Sequence, residues 1–303
     1  MIRGTLLALS RQQWLRRWVE TSALSKKVTA RFVAGETLRQ ELEVCRKLES
    51  ENIYATLDHL GENVTSLEEA EASRGSYLEA LDRIHAAGLA ATVSVKLTQL
   101  GLDLSESACR ANAETLVIRA KEIGSRVEFD MESSEYTDRT LGIVTDLHQR
   151  LGSVRAVIQA YLYRSDPDIE RLSQKGIPIR LCKGAYSEPA TQAFPKKGDV
   201  DANYIRLMKR LLDRGAYPAI ASHDENILNE ARRYAKERSI APDRFEFQML
   251  YGIRRDLQRA LIGEGYRVRL YVPYGKAWYP YFMRRLAERP ANLLFLARNI
   301  VRK

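Results

Sequence analysis

The chain is poor in cysteine and has no long apolar run. Three cysteines occur among 303 residues, Cys45, Cys109 and Cys182, and no two of them have Cys-x-x-Cys spacing. An odd number of widely separated cysteines argues against a disulfide framework and predicts a reducing compartment. The longest apolar stretches fall short of the ~18 residues that a membrane helix needs, and no secretory signal pattern is present. We therefore expect a cytoplasmic protein, with peripheral contact at the inner face of the cytoplasmic membrane as an open alternative.

The sequence also lacks the motifs of several common enzyme classes. G-x-G-x-x-G after a strand, G-x-x-x-x-G-K-[ST], H-E-x-x-H and G-x-S-x-G are all absent. These absences argue against Rossmann, P-loop, zincin and α/β-hydrolase folds, and the four scattered histidines predict no metal site. Basic residues outnumber acidic ones by 48 to 39. They are spread along the chain without a nucleic-acid-binding signature, so no nucleic-acid partner is predicted.

Eight short apolar runs recur along the chain, and each stops at a residue that can take part in chemistry. The runs are IYATLD ending at Asp58, TVSVK at Lys96, RVEFD at Asp130, AVIQ at Gln159, PIRLCK at Lys183, AIASH at His223, FEFQ at Gln248 and VRLY at Tyr271. Short apolar runs that alternate with helical segments predict parallel strands, and eight such units predict a (β/α)8 barrel. The carboxyl ends of barrel strands form the active face. Polar residues can simply end strands, but their repetition favours a functional site.

Helical patterns occupy the intervals between the runs and also precede the first one. The predicted helices span residues 36–49, 67–87, 105–123, 137–151, 199–214, 225–238 and 277–289. Residues 36–303 are predicted to form the barrel, and residues 1–35 a helical arm that contains Trp14 and Trp18. The arm is predicted to pack on the barrel or on another subunit, and contact with an anionic membrane surface is the alternative.

Two segments are rich in groups that can hold an anion. In RLCKGAY, Arg180 and Lys183 flank a buried run, and Gly184 gives the backbone freedom just beyond it. In YFMRRLAE, the adjacent Arg284 and Arg285 would form a multidentate carboxylate clamp if both face the mouth of the barrel. Nearby aromatic residues are candidate pocket walls: Tyr271, Tyr274, Trp278, Tyr279 and Tyr281.

Taken together, several of these segments resemble proline dehydrogenase. They are SVKLTQLGLDLS, EFDME, QAYLYR, IRLCKGAY, ASHD, FEFQMLYG, RLYVPYG and WYPYFMRRLAERPANL. The likeness is to the short monofunctional bacterial type and to the proline dehydrogenase domain of proline utilisation A. It implies a distorted TIM-type barrel that holds FAD, with the last helix above the flavin ring.

The resemblance also implies a reaction and its partners. L-Proline is oxidised to 1-pyrroline-5-carboxylate by hydride transfer to flavin N5, which is the first step of proline catabolism to glutamate. A membrane quinone accepts the electrons, and a 1-pyrroline-5-carboxylate dehydrogenase is the implied downstream partner.

Residue roles follow from the same resemblance. The residues implied to bind substrate are Lys96, Asp130, Leu181, Tyr186, Tyr271, Tyr281, Arg284 and Arg285. Those implied to bind the cofactor are Asp130, Gln159, Arg180, Lys183, Gly184, Ala185, His223, Gln248 and Glu288. Arg180 and Lys96 are the implied catalytic groups, and Asp58 and Glu62 are expected to hold the arginine pair in place. Cys182 stands where valine is frequent in the family, which predicts a packed, unreactive thiol.

Two rival functions remain open from the sequence. A lyase or aldolase barrel would use Lys96 or Lys183 to form a Schiff base with a carbonyl substrate. A basic binding or membrane-surface protein would use the net charge of +9 and the tryptophans of the arm.

Overall fold

The eight apolar runs form eight parallel strands that close into a barrel. The computed structural model describes residues 31–61, 64–279 and 281. The strands are β1 (Tyr54–His59), β2 (Ala91–Val95), β3 (Val127–Phe129), β4 (Val154–Gln159), β5 (Ile179–Cys182), β6 (Ala219–Ala221), β7 (Glu246–Leu250) and β8 (Arg267–Tyr274). Each strand pairs with the next, and β8 pairs with β1 from Tyr54↔Arg269 to His59↔Tyr274. The predicted (β/α)8 fold is confirmed.

Helices precede β1 and separate the strands. They are α1 (Leu38–Ser50), α2 (Leu67–Ala86), α3 (Glu106–Glu122), α4 (Thr137–Leu151), α5 (Ser165–Gln174), α6 (Lys197–Arg214), α7 (Glu225–Glu237) and α8 (Arg255–Gly263). Side chains start several of them: Ser66, Ser105 and Asp224 each accept a hydrogen bond from a backbone amide of the first turn.

The predicted helix limits agree with the structure to within about two residues. The sequence pattern gives no range for α5 and α8, which have only ten and nine residues. The arm up to residue 30 and nearly all of the last predicted helix lie outside the described residues, so the proposed boundary at residue 35 stays a prediction. No helix in the part of the chain that the structure describes has the length and hydropathy to cross a membrane.

Alternate residues along each strand face either the surrounding helices or the barrel interior. The helix-facing side is apolar, with Phe129, Ile158 and Leu181 almost fully buried. The interior side is charged. Five interior residues form what we call the interior ion-pair network: Glu128, Arg155, Arg180, Glu246 and Arg269.

The interior ion-pair network lies between two ends of the barrel that differ in their surroundings. We call the carboxyl ends of the strands the mouth and their amino ends the floor. Arg155, Glu128 and Glu246 have no exposed surface, and their positions near the start of β4, β3 and β7 place them toward the floor. The network therefore fills the space beneath the mouth.

Candidate active site

A cavity of about 820 Å³ opens at the mouth of the barrel. Its volume is within the range of about 300–1,000 Å³ that is usual for small-molecule and cofactor sites. The predicted site residues that line it are Asp58, Lys96, Asp130, Gln159, Arg180, Lys183, Gly184, Ala185, Tyr186, His223, Gln248, Tyr271 and Tyr281. The residues that end the eight apolar runs all belong to this lining. The strand ends thus converge on one site.

Asp130, directly after β3, is the central acceptor of the cavity. Its Oδ1 accepts hydrogen bonds from Arg180 Nη1 at 2.7 Å and from Ser94 Oγ at 2.8 Å. Its Oδ2 accepts one from the Tyr271 hydroxyl at 2.7 Å, and Lys96 Nζ lies 3.7 Å away. Hydrogen bonds to a charged group are the strong ones, so Asp130 fixes an arginine and a tyrosine from opposite sides of the barrel.

Lys96 follows β2 and lies between two carboxylates. Its Nζ is 3.4 Å from Asp58 Oδ1 and 3.7 Å from Asp130 Oδ2. The Lys96 and Asp58 side chains are 10% and 1% exposed, so this pair is screened little by water. An ammonium group engaged in this way is poorly placed to attack a carbonyl, which disfavours the lyase alternative at this lysine.

Arg180 links the cavity to the interior ion-pair network. It donates from Nη1 to Asp130 and from Nη2 to Glu128, and its guanidinium carbon lies 5.5 Å from the centroid of the Tyr271 ring. Burial lowers the pKa of Arg180, but Glu128 and Asp130 outweigh burial and raise it. The Nε of Arg180 is buried and has no partner among the described residues. Arg180 is thus a fixed positive charge beneath the cavity.

The ends of β5 and β6 form a second charged group. Lys183 donates to Asp201 Oδ1 and, at 2.8 Å, to Asp224 Oδ2. The Lys183 side chain is 28% exposed and both aspartates are 24% exposed, so the group borders the cavity and remains wet. Lys183, like Lys96, is paired with carboxylates and not poised as a nucleophile.

His223 and Gln159 are oriented by backbone groups. His223 Nε2 accepts a hydrogen bond from the Leu250 amide at 2.8 Å, which leaves Nδ1 as the nitrogen that carries the proton in this arrangement. Gln159 donates from Nε2 to the Glu132 carbonyl at 2.8 Å. Both side chains therefore point into the cavity in fixed orientations.

Gly184 is required by the local backbone. Its φ of +116° is disfavoured for residues with a side chain, and an added Cβ would lie only 2.3 Å from the Tyr161 ring. The sequence prediction that glycine frees the backbone here is consistent with this geometry. Tyr186, two residues further on, is 36% exposed and lies at the rim of the cavity.

One predicted pocket residue faces away from the cavity. Leu181 lies between Arg180 and Cys182 on β5, has no exposed surface and belongs to the helix-facing core. Leu181 does not line the described cavity, because the alternation of a strand turns neighbouring side chains to opposite faces, and its role in shaping the pocket stays a prediction. Glu62, Arg284, Arg285 and Glu288 lie outside the described residues, and the roles predicted for them stay predictions.

Several contacts of the site were not foreseen from the sequence. Ser94 binds Asp130, and Glu128 binds Arg180. Asp201 and Asp224 hold Lys183. A signal was present for Ser94 and Glu128, since each precedes a predicted site residue by two positions on a strand and therefore shares its face. No such signal marks Asp201, which lies on α6.

Comparison with known proteins agrees with this geometry. The sequence model of the family described as "Proline dehydrogenase" matches residues 11–298. The chain belongs to the proline dehydrogenase family. Proline dehydrogenase 2 of Bacillus subtilis (strain 168) is 38% identical over 99% of both chains, and the proline dehydrogenase of Deinococcus radiodurans is 42% identical over 90% of this chain and 89% of that protein. The resemblance drawn from the sequence is confirmed.

A solved structure with the same fold is that of proline utilization A from Bdellovibrio bacteriovorus inactivated by N-propargylglycine. It matches with a TM-score of 0.82 and 28% identity over 90% of this chain and 34% of that chain. The barrel described above thus corresponds to about a third of that longer protein.

Proposed function

We propose that the chain is a flavin-dependent oxidoreductase that converts L-proline to 1-pyrroline-5-carboxylate, the first step of proline catabolism to glutamate. Membership of the proline dehydrogenase family supports the reaction. The observation that carries the proposal is the Asp130 centre, in which one carboxylate fixes Arg180 and Tyr271 at the edge of a single cavity. Such prior fixing of side chains is what a site needs to hold a small ring against a reactive group.

The residues of the mouth fit FAD. Arg180 is a permanent positive charge with a buried, unbonded Nε, and the Gly184 backbone approaches other groups more closely than any residue with a side chain permits. Two groups of residues would contact FAD. We expect Gln159, Arg180, Gln248 and Asp130 beside the flavin ring system, and Lys183, Gly184, Ala185 and His223 near the phosphates of the cofactor. When bound, FAD would accept a hydride from C5 of the substrate ring at its N5 atom and pass the electrons to a quinone. Glu288 is proposed to contact the adenosine end.

The substrate would lie between the wall of the cavity and the last helix. Arg284 and Arg285 would hold the carboxylate of L-proline, with Asp58 and Glu62 as their partners. Lys96, Tyr271 and Tyr281 would enclose the ring, and Tyr281 is buried as this requires. Tyr271 cannot swing aside easily, because its hydroxyl is bonded to Asp130 and its ring lies against Arg180.

The protein contributes position and charge to this reaction more than proton transfer. A positive group beneath the cavity stabilises the negative charge that develops as hydride arrives, and Arg180 supplies it without reorganisation. Closure of the site would exclude water from the reacting atoms. A membrane quinone as acceptor implies peripheral contact with the cytoplasmic membrane, and the product is a substrate for a 1-pyrroline-5-carboxylate dehydrogenase.

Spectroscopy of the purified protein tests the proposal. We expect a yellow protein whose flavin absorbance is bleached by L-proline under anaerobic conditions and not by D-proline. A colourless protein, or a yellow one that L-proline leaves unchanged, would contradict it. Borohydride trapping with a carbonyl substrate tests the lyase alternative, and we expect no covalent adduct at Lys96 or Lys183.

A further inference from the structure

A second cavity, of about 370 Å³, opens at the opposite end of the barrel. We call it the floor cavity. Residues at the starts of β1 and β2 and just before β3 line it, together with the segments that follow α2 and α3. Its basic or imidazole-bearing lining residues are His85, Arg126 and Arg269. No residue predicted to bind substrate or cofactor belongs to it.

Arg126 is the unusual member of this lining. Its guanidinium makes no hydrogen bond or ion pair with any residue of 31–61, 64–279 or 281, although it is half-buried. Its one described contact is with the Tyr217 ring, whose centroid lies 5.6 Å away. Burial and the charges of Arg155 and Arg269 lower the pKa of Arg126, and the charges of Glu128 and Glu246 offset this only in part. A half-buried cation beside other cations is stable only if something offsets the repulsion.

Positive charge exceeds negative charge around the floor cavity. The guanidinium carbons of Arg155 and Arg267 also lie 5.6 Å from the Tyr217 ring, and Arg269 lies 5.2 Å from the Tyr54 ring. The carboxylates of Glu128 and Glu246 are already bonded to Arg155, Arg180 and Arg269. Neither carboxylate forms a hydrogen bond or ion pair with Arg126.

Two features at the rim of the floor cavity disfavour the binding of an anion, but their effect is weaker than that of the excess positive charge. The carboxyl-terminal ends of α2 and α3 each carry about half a negative charge. Lys121 in the last turn of α3 offsets part of it, whereas Arg83 is paired with Glu79 and Arg119 with Asp82 and Glu122. Glu49 accepts a hydrogen bond from the Ala90 amide at 3.0 Å, which engages one of its oxygens. The interior of the cavity keeps a full unpaired guanidinium.

Tyr217 holds this arrangement in place. It has φ of +49°, which is uncommon for an aromatic residue and costs on the order of 1–3 kcal/mol. Its hydroxyl donates to Glu246 Oε2 and accepts from Arg267 Nη1, each at 3.2 Å, and its carbonyl accepts from Arg155 Nη2 at 3.4 Å. The ring is therefore a fixed platform under three arginines. The strained backbone at Tyr217 is held by these contacts, which indicates that the position of its ring is important.

We infer that the floor cavity binds a phosphate-type oxyanion, either inorganic phosphate or the phosphate of a small molecule. Arg126 is the principal contact, because its planar donors are unengaged and match phosphate oxygens in pairs. Arg269 contributes charge, since its own donors are taken by Glu246 and by the Ala55 carbonyl. His85 also lines the cavity and is exposed. The inference stands independently of the proposed function of the mouth.

Calorimetric titration tests the site with two probes, inorganic phosphate and AMP, at constant ionic strength on the protein as purified with its cofactor. Arg126→Gln should weaken the binding of both probes about tenfold or more, as expected for the loss of a charge-assisted contact. The matched control is Arg39→Gln, since Arg39 is an exposed arginine with an 89% exposed side chain. It should bind both probes like the wild type. Tighter binding of AMP than of phosphate identifies a phosphorylated molecule as the ligand, and equal binding identifies free phosphate.

A second variant separates the floor cavity from the mouth. Lys183→Gln should leave phosphate binding unchanged, whereas loss of binding in this variant, or full binding in Arg126→Gln, overturns the inference. Arg126→Gln loses no described hydrogen bond or ion pair, only the contact with the Tyr217 ring, so its melting temperature in phosphate-free buffer should be close to that of the wild type. Phosphate should then raise the melting temperature of the wild type and not that of Arg126→Gln.

Discussion

The mouth and the floor of the barrel contain the same residue types in different surroundings. At each end a tyrosine ring lies against arginine, with Arg180 at 5.5 Å from Tyr271 and Arg155 at 5.6 Å from Tyr217. At each end the tyrosine hydroxyl donates to a carboxylate, Asp130 or Glu246. At the floor the Glu246 side chain has no exposed surface, whereas at the mouth the Asp130 side chain is 13% exposed and borders the large cavity.

This difference separates carboxylates that are bonded only within the buried network from a carboxylate that borders an open cavity. The floor carboxylates each bind two or more arginines, so their negative charge is compensated within the protein. At the mouth, Asp130 holds side chains that still face open space. Arg180 belongs to both groups, because one of its nitrogens bonds to Glu128 and another to Asp130. The position of Arg180 therefore depends on the buried ion pairs beneath it.

The largest effect is expected from Arg155→Met at the floor. Arg155 is fully buried and bonds to both Glu128 and Glu246, so its loss leaves buried negative charge uncompensated and should cost about 3–5 kcal/mol of unfolding free energy. Denaturant unfolding measures this. Arg155→Lys keeps the charge and should lose less, and Arg39→Met on the surface should lose almost nothing. A loss in Arg155→Met no greater than that of the surface control contradicts the distinction between the two ends.

Arg284→Lys tests the proposed clamp at the mouth. One ammonium group cannot replace a two-pronged guanidinium, so we expect the KM for L-proline to rise by about tenfold or more with a smaller change in kcat. Stability should be unaffected, unlike in Arg155→Met. Steady-state kinetics beside Arg39→Lys provide the comparison. Near-normal affinity for L-proline in the variant would remove Arg284 from the clamp.

The two tyrosines allow a matched comparison of the two ends. Tyr271→Phe should lower kcat/KM by about tenfold, because a hydrogen bond to a charged group is worth about 1.5–3 kcal/mol and this one fixes the pocket wall. Tyr217→Phe should leave kcat/KM unchanged and lower the unfolding free energy by about 1.5–3 kcal/mol, because its hydroxyl also bonds to a charged group, Glu246. Kinetics and denaturant unfolding of both variants are needed. The reverse pattern would mean that mouth and floor have been assigned the wrong way round.

The smallest effect is expected at Cys182, which lines the mouth but carries no role in the proposal. Burial raises the pKa of the Cys182 thiol to about 12. At about pH 8 this thiol is almost entirely protonated, and only the thiolate reacts quickly with alkylating agents. Iodoacetamide should therefore leave native Cys182 unmodified, as mass spectrometry of the intact protein and its peptides can verify. Rapid modification would contradict the burial of Cys182 and show that solvent reaches its thiol at the mouth.

The sequence predicted the barrel and most of the mouth because both depend on local patterns. A short apolar run with a polar end is visible within six residues, and parallel strands bring such ends together. Leu181 was named from family likeness alone, and the alternation of its strand, which turns it to the face opposite to Arg180, was not taken into account. The interior ion-pair network was missed for another reason. Arg155 and Glu246 are 91 positions apart, and no local pattern reveals which buried charges will meet.

Closure of the barrel has a consequence for how the chain folds. The strands β1 and β8 are neighbours, and Arg269 on β8 bonds to the Ala55 carbonyl on β1 across 214 positions. Contacts so distant in sequence form late and slowly. Until β8 arrives, Glu246 also lacks its bond to Arg269, so a half-assembled barrel contains a desolvated carboxylate without all its partners. The last strand therefore completes both the hydrogen-bonded ring and the charge balance inside it.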